Sequence, residues 1–259
     1  MRFNHIFKLT NENETHREYK CDNVNINIDF ISGSALRMAV FNDNAEMLPT
    51  FTVNPNNNLS SLGRSRLSVD GFDCVAPVVE KFENKEKFVL DCGVTVDLDL
   101  NNFILSYSKE SKLLFGDRAP LAYNFEGEFG NGSYHYITRE DDEHIFGLGD
   151  KSGLINKAGQ VYRVETADSM GFDAEKTDPL YKHVPFYICE NSVGAYGIYY
   201  DTTDTSFVDL GREINNYYCH FKYFKTDDDC LVYYVFFGSK LSVLQQYARL
   251  CGKQAGFSA

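Results

Sequence analysis

Tryptophan is absent from this 259-residue sequence, and proline is scarce at six residues. The aromatic content therefore rests on 17 tyrosines and 21 phenylalanines, side chains suited to broad pleated surfaces packed face to face. No apolar run approaches the roughly 18–20 residues that a membrane-spanning helix needs. The polar opening Met1-Arg2-Phe3-Asn4-His5 also lacks the apolar core of a signal peptide. These absences predict a soluble, cytoplasmic protein without a membrane partner. Cys-x-x-Cys pairs are missing too. The seven cysteines (Cys21, Cys74, Cys92, Cys189, Cys219, Cys230, Cys251) are odd in number and widely spaced, which predicts reduced thiols acting as small hydrophobes and no zinc knuckle. Basic residues are outnumbered 25 to 37, giving a net charge of −12, a balance that repels nucleic-acid phosphates and anionic lipid.

What is present reads as a large β structure. Hydrophobic residues at 43% and charged residues at 24% supply a sizeable core, and a β-sandwich of roughly 200–250 residues can form one unit. Residues 24–30 alternate Val24, Ile26, Ile28, Phe30 with Asn25, Asn27, Asp29, the period of a strand with one buried and one wet face. Val94, Val96, Leu98 and Leu100 repeat this against Thr95, Asp97 and Asp99; Asn101-Asn102 then turns the chain into a return strand at Phe103-Ile104-Leu105. Further strands are predicted at 35–41, 113–116, 132–138, 161–166, 185–189, 195–200, 205–210, 217–224 and 230–237, with irregular segments at 42–66 and 70–80 that are expected to form loops or edge strands. Asp227-Asp228-Asp229 lacks calcium-loop spacing and reads as a solvated hairpin tip. A single helix is predicted near the end, with Ser239 as N-cap, an apolar face of Leu241, Leu244, Tyr247, Ala248 and Cys251, and Gly252 closing it. The domain reading is a sandwich over 1–238, followed by a boundary helix and linker over 239–259.

Phe146-Gly147-Leu148-Gly149-Asp150-Lys151-Ser152-Gly153 has neither of the spacings that cradle phosphate. Its glycines suit a sharp bend or close backbone approach at a strand end. Downstream come Asn156-Lys157-Ala158-Gly159, Thr166-Ala167-Asp168, Asp178-Pro179-Leu180-Tyr181-Lys182-His183-Val184-Pro185-Phe186-Tyr187, and Gly197-Ile198-Tyr199-Tyr200-Asp201. This ordered series resembles the N-terminal domain of glycoside hydrolase family 31. There a Gly-x-Gly-acid element leads through a glycine turn and a loop Asp to an Asp-Pro-Leu-Tyr-x-x-x-Pro-Phe element. Ala35-Leu36-Arg37-Met38-Ala39-Val40 and the 239–252 helix extend the resemblance over most of residues 23–255.

The resemblance implies an all-β fold, a two-sheet, mostly antiparallel sandwich of the galactose mutarotase-like kind, whose terminal helix leads toward a (β/α)₈ catalytic barrel that this chain lacks. Retaining glycosidases use two carboxyl groups roughly 5–5.5 Å apart, and in this family both belong to the barrel, the nucleophile within a Trp-x-Asp-Met-Asn type motif. With no tryptophan, the chain cannot contain that motif; no catalytic residue, cofactor or metal is assigned to it. The implied contribution is a loop whose Asp168 accepts hydrogen bonds from sugar hydroxyls, in a parent enzyme acting on α-glucosides or oligosaccharides. Val164-Glu165-Thr166-Ala167 replaces the family's usual aromatic-Asn element here, and Glu165 and Asp173 are further acids of the same loop, open alternatives to share or take over the role of Asp168. Tyr181, Pro185 and Phe186 are expected to fix the loop base and pack the sandwich, and His144 and His183 have no partners at ligand spacing. Two other readings stay open: a free-standing sugar-binding module, which the missing tryptophan platforms disfavour, and an aldose 1-epimerase-like enzyme, which needs a His and Glu pair in a sheet groove. A surface left for the barrel would be apolar and open to homo-oligomer formation.

Overall fold

The computed structural model describes residues 6–55, 63–127, 130–212, 214–215 and 219–252. Residues 56–62 of the irregular segment, 217–218 of a predicted strand and 253–259 of the tail lie outside them. With strands numbered in chain order, an eight-stranded sheet runs β1 (Lys8–Glu12), β2 (His16–Cys21), β3 (Val24–Ser32), β4 (Ala35–Asn42), β19 (Cys230–Gly238), β15 (Ala195–Tyr200), β14 (His183–Glu190), β12 (His144–Gly149). A five-stranded meander runs β5 (Val78–Lys81), β6 (Lys85–Val89), β7 (Val94–Asp99), β8 (Ile104–Lys109), β9 (Lys112–Gly116). The third sheet runs β10 (Tyr123–Gly127), β11 (Gly130–Thr138), β18 (Cys219–Thr226), β16 (Ser206–Asp209), β13 (Val161–Val164), with β17 (Ile214–Asn215) also on β18. Neighbouring strands pair antiparallel, as β3 with β4 and β15 with β19 do. The expected all-β sandwich is therefore present, its second layer built from two sheets joined at the Asp117–Ile137 bridge.

Local chemistry explains several turns. Glu110 and Ser111 both take positive φ, 50° and 63°, between the paired Lys109 and Lys112, the geometry whose twist matches a two-residue hairpin. Of the strands missing from the sequence reading, β1, β2 and β6 are rich in Lys, Arg, Glu and Asn (KLTNE, HREYKC, KEKFV), and their charge masks the period-2 signal; β10 and β17 are missing as well, while β5, starting within the 70–80 segment, is the edge strand of the meander.

The main core lies between the layers. Ile26, Ile28 and Phe30 of β3, Leu36, Met38 and Val40 of β4, and Tyr233, Val235 and Phe237 of β19 meet Phe88, Val96, Leu98 and Leu105 of the meander and Tyr123, Ile137 and Phe224 of the third sheet. Tyrosines contribute much of it: Tyr19, Tyr107, Tyr123, Tyr187, Tyr196, Tyr199, Tyr200, Tyr233 and Tyr234 are fully buried, and burial pushes each of their phenol pKa values up. Cys189 and Cys230 are buried free thiols, as expected of reduced core cysteines, and Cys21 is buried in the main core as well.

A second core covers the opposite face of the eight-stranded sheet and corrects the expectation that β3 is wet on one side. Asn27 and Asp29 are buried, Asp29 at 1% exposure. Asp29 pairs with Arg37 at 2.7 Å, and that guanidinium donates to the carbonyls of Arg66 (2.7 Å), Leu67 (2.8 Å) and Ser68 (2.7 Å), holding the 64–70 segment over the sheet. Asp228 is likewise buried rather than solvated, because Arg66 Nη1 reaches its Oδ2 at 2.6 Å.

The helix α1 (Lys240–Leu250) also lies on this face, its N-cap Ser239 accepting from the Ser242 amide at 3.2 Å. Its buried residues are Val243 and Leu250, with Tyr247 stacked 4.0 Å from Phe186. Leu241 and Leu244 are exposed, so the helix is rotated from the predicted face. Gly197 explains the setting: a Cβ there would collide with Val243 Cγ1 and meet Phe186 Cε2 at 3.0 Å.

Candidate functional site

Strand β12 ends in a backbone conformation that ordinary residues resist. Gly147, Leu148 and Gly149 take φ of 130°, 70° and 77°, and the pairing with β14 shifts register between the two glycines. A Cβ on Gly147 would lie 2.5 Å from the Phe186 carbonyl oxygen, and one on Gly149 2.7 Å from that of Lys182. The glycines thus allow a bend and a close approach, as the sequence suggested.

The chain then leaves the eight-stranded sheet and crosses to the third sheet. The Asn156 side chain fixes this crossing, its Oδ1 accepting from the amides of Ile145 (3.0 Å) and Ala158 (3.2 Å), while the Gly159 amide donates to the Leu210 carbonyl at 2.8 Å. Strand β13 follows, and from its end at Val164 the loop 165–182 runs out and returns to His183 of β14.

Three acids of that loop have different surroundings. Glu165 pairs with Arg163 at 2.8 Å. Asp173 closes a turn, its Oδ1 accepting from the Glu175 amide at 2.8 Å and its carbonyl from the Thr177 amide at 3.0 Å. Asp168 is exposed and has no cationic partner among the described residues; its neighbour is Tyr181, whose phenol pKa is pushed up by desolvation and then by a hydrogen bond to Asp168. The two limbs are tied beside it by Ser169 Oγ donating to the Pro179 carbonyl (2.6 Å), the Ala167 amide to the Leu180 carbonyl (3.2 Å) and the Tyr181 hydroxyl to the Ser169 carbonyl (3.3 Å). Tyr181 therefore stands half in solvent beside the acid and does not pack the sandwich, a correction to its expected role. Phe186 does pack as expected.

The loop base contains two lysines that sequence reading passed over. Lys151, whose side chain is buried, bonds Asp178 Oδ1 at 2.9 Å and the Arg163 carbonyl, and Asp178 Oδ2 accepts from the Arg163 amide at 2.5 Å. Lys157 donates to the Ser152 carbonyl at 3.0 Å; burial and then the nearby Lys151 ammonium hold it below the ordinary lysine range. Lys151 follows a glycine pair and Asp178 precedes a proline, contexts in which each reads as a turn residue. His183 lies nearby with its pKa lowered by burial and then by Lys151, and exposed His144 bonds Asn156 at 2.9 Å. No group of three or more His, Cys, Asp or Glu able to hold a metal occurs among the described residues.

The two loops at this end expose large apolar side chains. Leu154 and Ile155 are 80% and 81% exposed, Met170 is 87% exposed and Phe172 is also open, and the Gly153 amide joins the loops by donating to the Ala174 carbonyl at 2.9 Å. By contrast, His135 bonds Asp117 at 3.0 Å and Tyr200 at 2.9 Å deep between the layers, where both acid and base are buried. Both members of this His and carboxylate pair are thus closed off from solvent, at 1% and 5% exposure.

Residues 25–209 match the sequence pattern described as "Glycosyl hydrolase 31 N-terminal galactose mutarotase-like domain". Over 149 residues the chain is 27% identical to Alpha-glucosidase 2 of Bacillus thermoamyloliquefaciens, covering 57% of this chain and 18% of that protein. Over 116 residues it is 28% identical to an Alpha-glucosidase of Saccharolobus solfataricus, covering 43% of this chain and 15% of that protein. In fold it is similar to a Flavobacterium johnsoniae GH31 dextranase complexed with glucose, with a TM-score of 0.77 and 23% identity over 96% of this chain and 28% of that one. The chain spans less than a third of the length of each of these proteins.

Proposed function

The chain belongs to the glycosyl hydrolase 31 N-terminal galactose mutarotase-like domain family, and from that premise we propose that it serves as the accessory domain of a retaining, exo-acting α-glucosidase. In this reading it contributes Asp168 to the sugar site and leaves bond cleavage to a catalytic barrel. The observation that carries it is the setting of Asp168: an exposed carboxylate with no cationic partner among the described residues, on a loop whose base is tied by Lys151 and Asp178. A carboxylate accepting from a sugar hydroxyl gains about 1.5–3 kcal/mol as a charge-assisted bond. The neighbouring Leu154, Ile155, Met170 and Phe172, together with Leu241 and Leu244 of α1, give a barrel apolar side chains to cover.

The test is hydrolysis of p-nitrophenyl α-glucoside by the 259-residue chain and by a longer product of the same gene that carries a barrel. Turnover by the longer protein alone is expected. There Asp168→Ala should raise KM roughly tenfold to hundredfold. Turnover by the 259-residue chain would overturn the accessory role, and an unchanged KM in the variant would remove Asp168 from the sugar site.

A further inference from the structure

The loop 165–182 is a long surface excursion whose middle is joined to the loop after β12 by the Gly153 amide on the Ala174 carbonyl at 2.9 Å. Its cross-limb bonds, Ala167 to Leu180 and Ser169 to Pro179, hold the limbs to each other. They do not set where the pair of limbs stands on the domain. Closing and orienting such a loop costs conformational entropy, and without fixed ends it samples many positions.

The geometry points to Lys151 as the positioning residue of this loop: its buried ammonium clasps the outgoing limb at the Arg163 carbonyl and the returning limb at Asp178, fixing where Asp168 is presented. Asp178 completes the clasp by taking the Arg163 amide on its second oxygen at 2.5 Å, so one carboxylate joins both limbs and the lysine at once. Three features make this a built device. Lys151 Nζ also faces the Tyr162 ring at 5.8 Å, on the strand from which the loop departs. The segment carrying Lys151 is itself anchored, because the Asp150 amide donates to the Lys182 carbonyl at 2.7 Å and Lys157 donates to the Ser152 carbonyl. Asp178 also acts electrostatically on Lys157 as well as bonding Lys151. With the lysine side chain buried and the carboxylate only partly exposed, the pair holds one geometry, since Lys151 left alone would be an uncompensated charge away from water.

That the clasp serves sugar binding rests on the proposed role of Asp168; that it holds the loop does not. The test therefore has two arms. Hydrogen exchange on the 259-residue chain compares wild type with Lys151→Met and Lys151→Arg. Amides 165–177 should exchange at least tenfold faster in Lys151→Met, with β15 and β19 amides unchanged, and Lys151→Arg should restore most of the protection. Equal loop exchange in Lys151→Met overturns the clasp. If that variant does not fold, the near-isosteric Asp178→Asn carries the same comparison. In a barrel-bearing longer product, Lys151→Met should raise KM for p-nitrophenyl α-glucoside at least fivefold while kcat stays within twofold, and Lys151→Arg should bring KM back. Faster loop exchange with an unchanged KM in both Lys151→Met and Asp168→Ala would sink the sugar role and leave the clasp standing.

Discussion

Strands β3 and β7 carry nearly the same pattern and meet different fates. Val24, Ile26 and Ile28 and, in the other strand, Val94, Val96 and Leu98 all point into the main core. The polar residues between them part company: Asp97 is exposed, while Asp29 is buried. The difference lies outside both strands. The second face of β3 is roofed by the 64–70 segment, and farther along the same sheet by α1, whereas β7 sits in a meander whose outer side meets solvent. Alternation therefore identifies the face that must be buried, and the rest of the chain decides whether the other face is buried as well.

The contrast can be broken by removing the charge from each strand. Asp29→Ala leaves Arg37 as a buried, unpaired cation, and the expected loss is about 3–5 kcal/mol in urea unfolding. An effect near zero would mean that the 64–70 roof opens at no cost. Next in size is the helix side of the same face: Gly197→Ala places a methyl against Val243 and should destabilise by about 1–3 kcal/mol through overpacking. Val243→Ala in the same chain should recover part of that loss, which a double-mutant cycle would read as coupling.

A smaller effect concerns His16, which reaches Asp29 at 2.6 Å and Glu18 at 3.0 Å from the rim of this face. The bond to Asp29 raises its pKa, desolvation opposes this, and Glu18 adds to the rise. A histidine raised in the native state stabilises fully below its ordinary value near 6.5, and the contribution disappears as pH climbs through the raised value. Wild type should therefore lose Tm between pH 6 and pH 8 by more than His16→Gln does; parallel curves would remove His16 from the network. Last, Asp97→Ala should change stability by no more than about 0.5 kcal/mol, and a larger loss would show that the meander is covered too.

The same contrast marks what the residues could reveal by themselves. Strands with clean alternation or continuous apolar runs, such as β3, β7, β15 and β19, were legible because period 2 is a local property. Strands β1 and β6 were not, since lysine and glutamate fill their exposed positions and leave few apolar marks. The helix was legible in extent and N-cap but not in rotation, because residues at 241, 244 and 248 have the same spacing as 243, 247 and 250, and Gly197 arbitrates from 46 positions away in the chain. At the candidate site, the bend at Gly147 and Gly149 could be read from glycine's freedom, and Asp168 was singled out through the family resemblance. Lys151 and Asp178 could not be paired beforehand: 27 residues separate them, and only the return of the loop onto β14 brings them together.

The buried tyrosines make the protein its own optical gauge. With no tryptophan, near-ultraviolet absorbance comes chiefly from tyrosine, and nine of the 17 phenols are fully buried in the two cores among the described residues. A phenol in water ionises near pH 10 with a marked change in absorbance, but these nine resist ionisation while the cores stay closed. An alkaline titration should therefore proceed in two waves, open phenols first and core phenols only when the sandwich gives way. The second wave would time the opening of the cores without any attached dye.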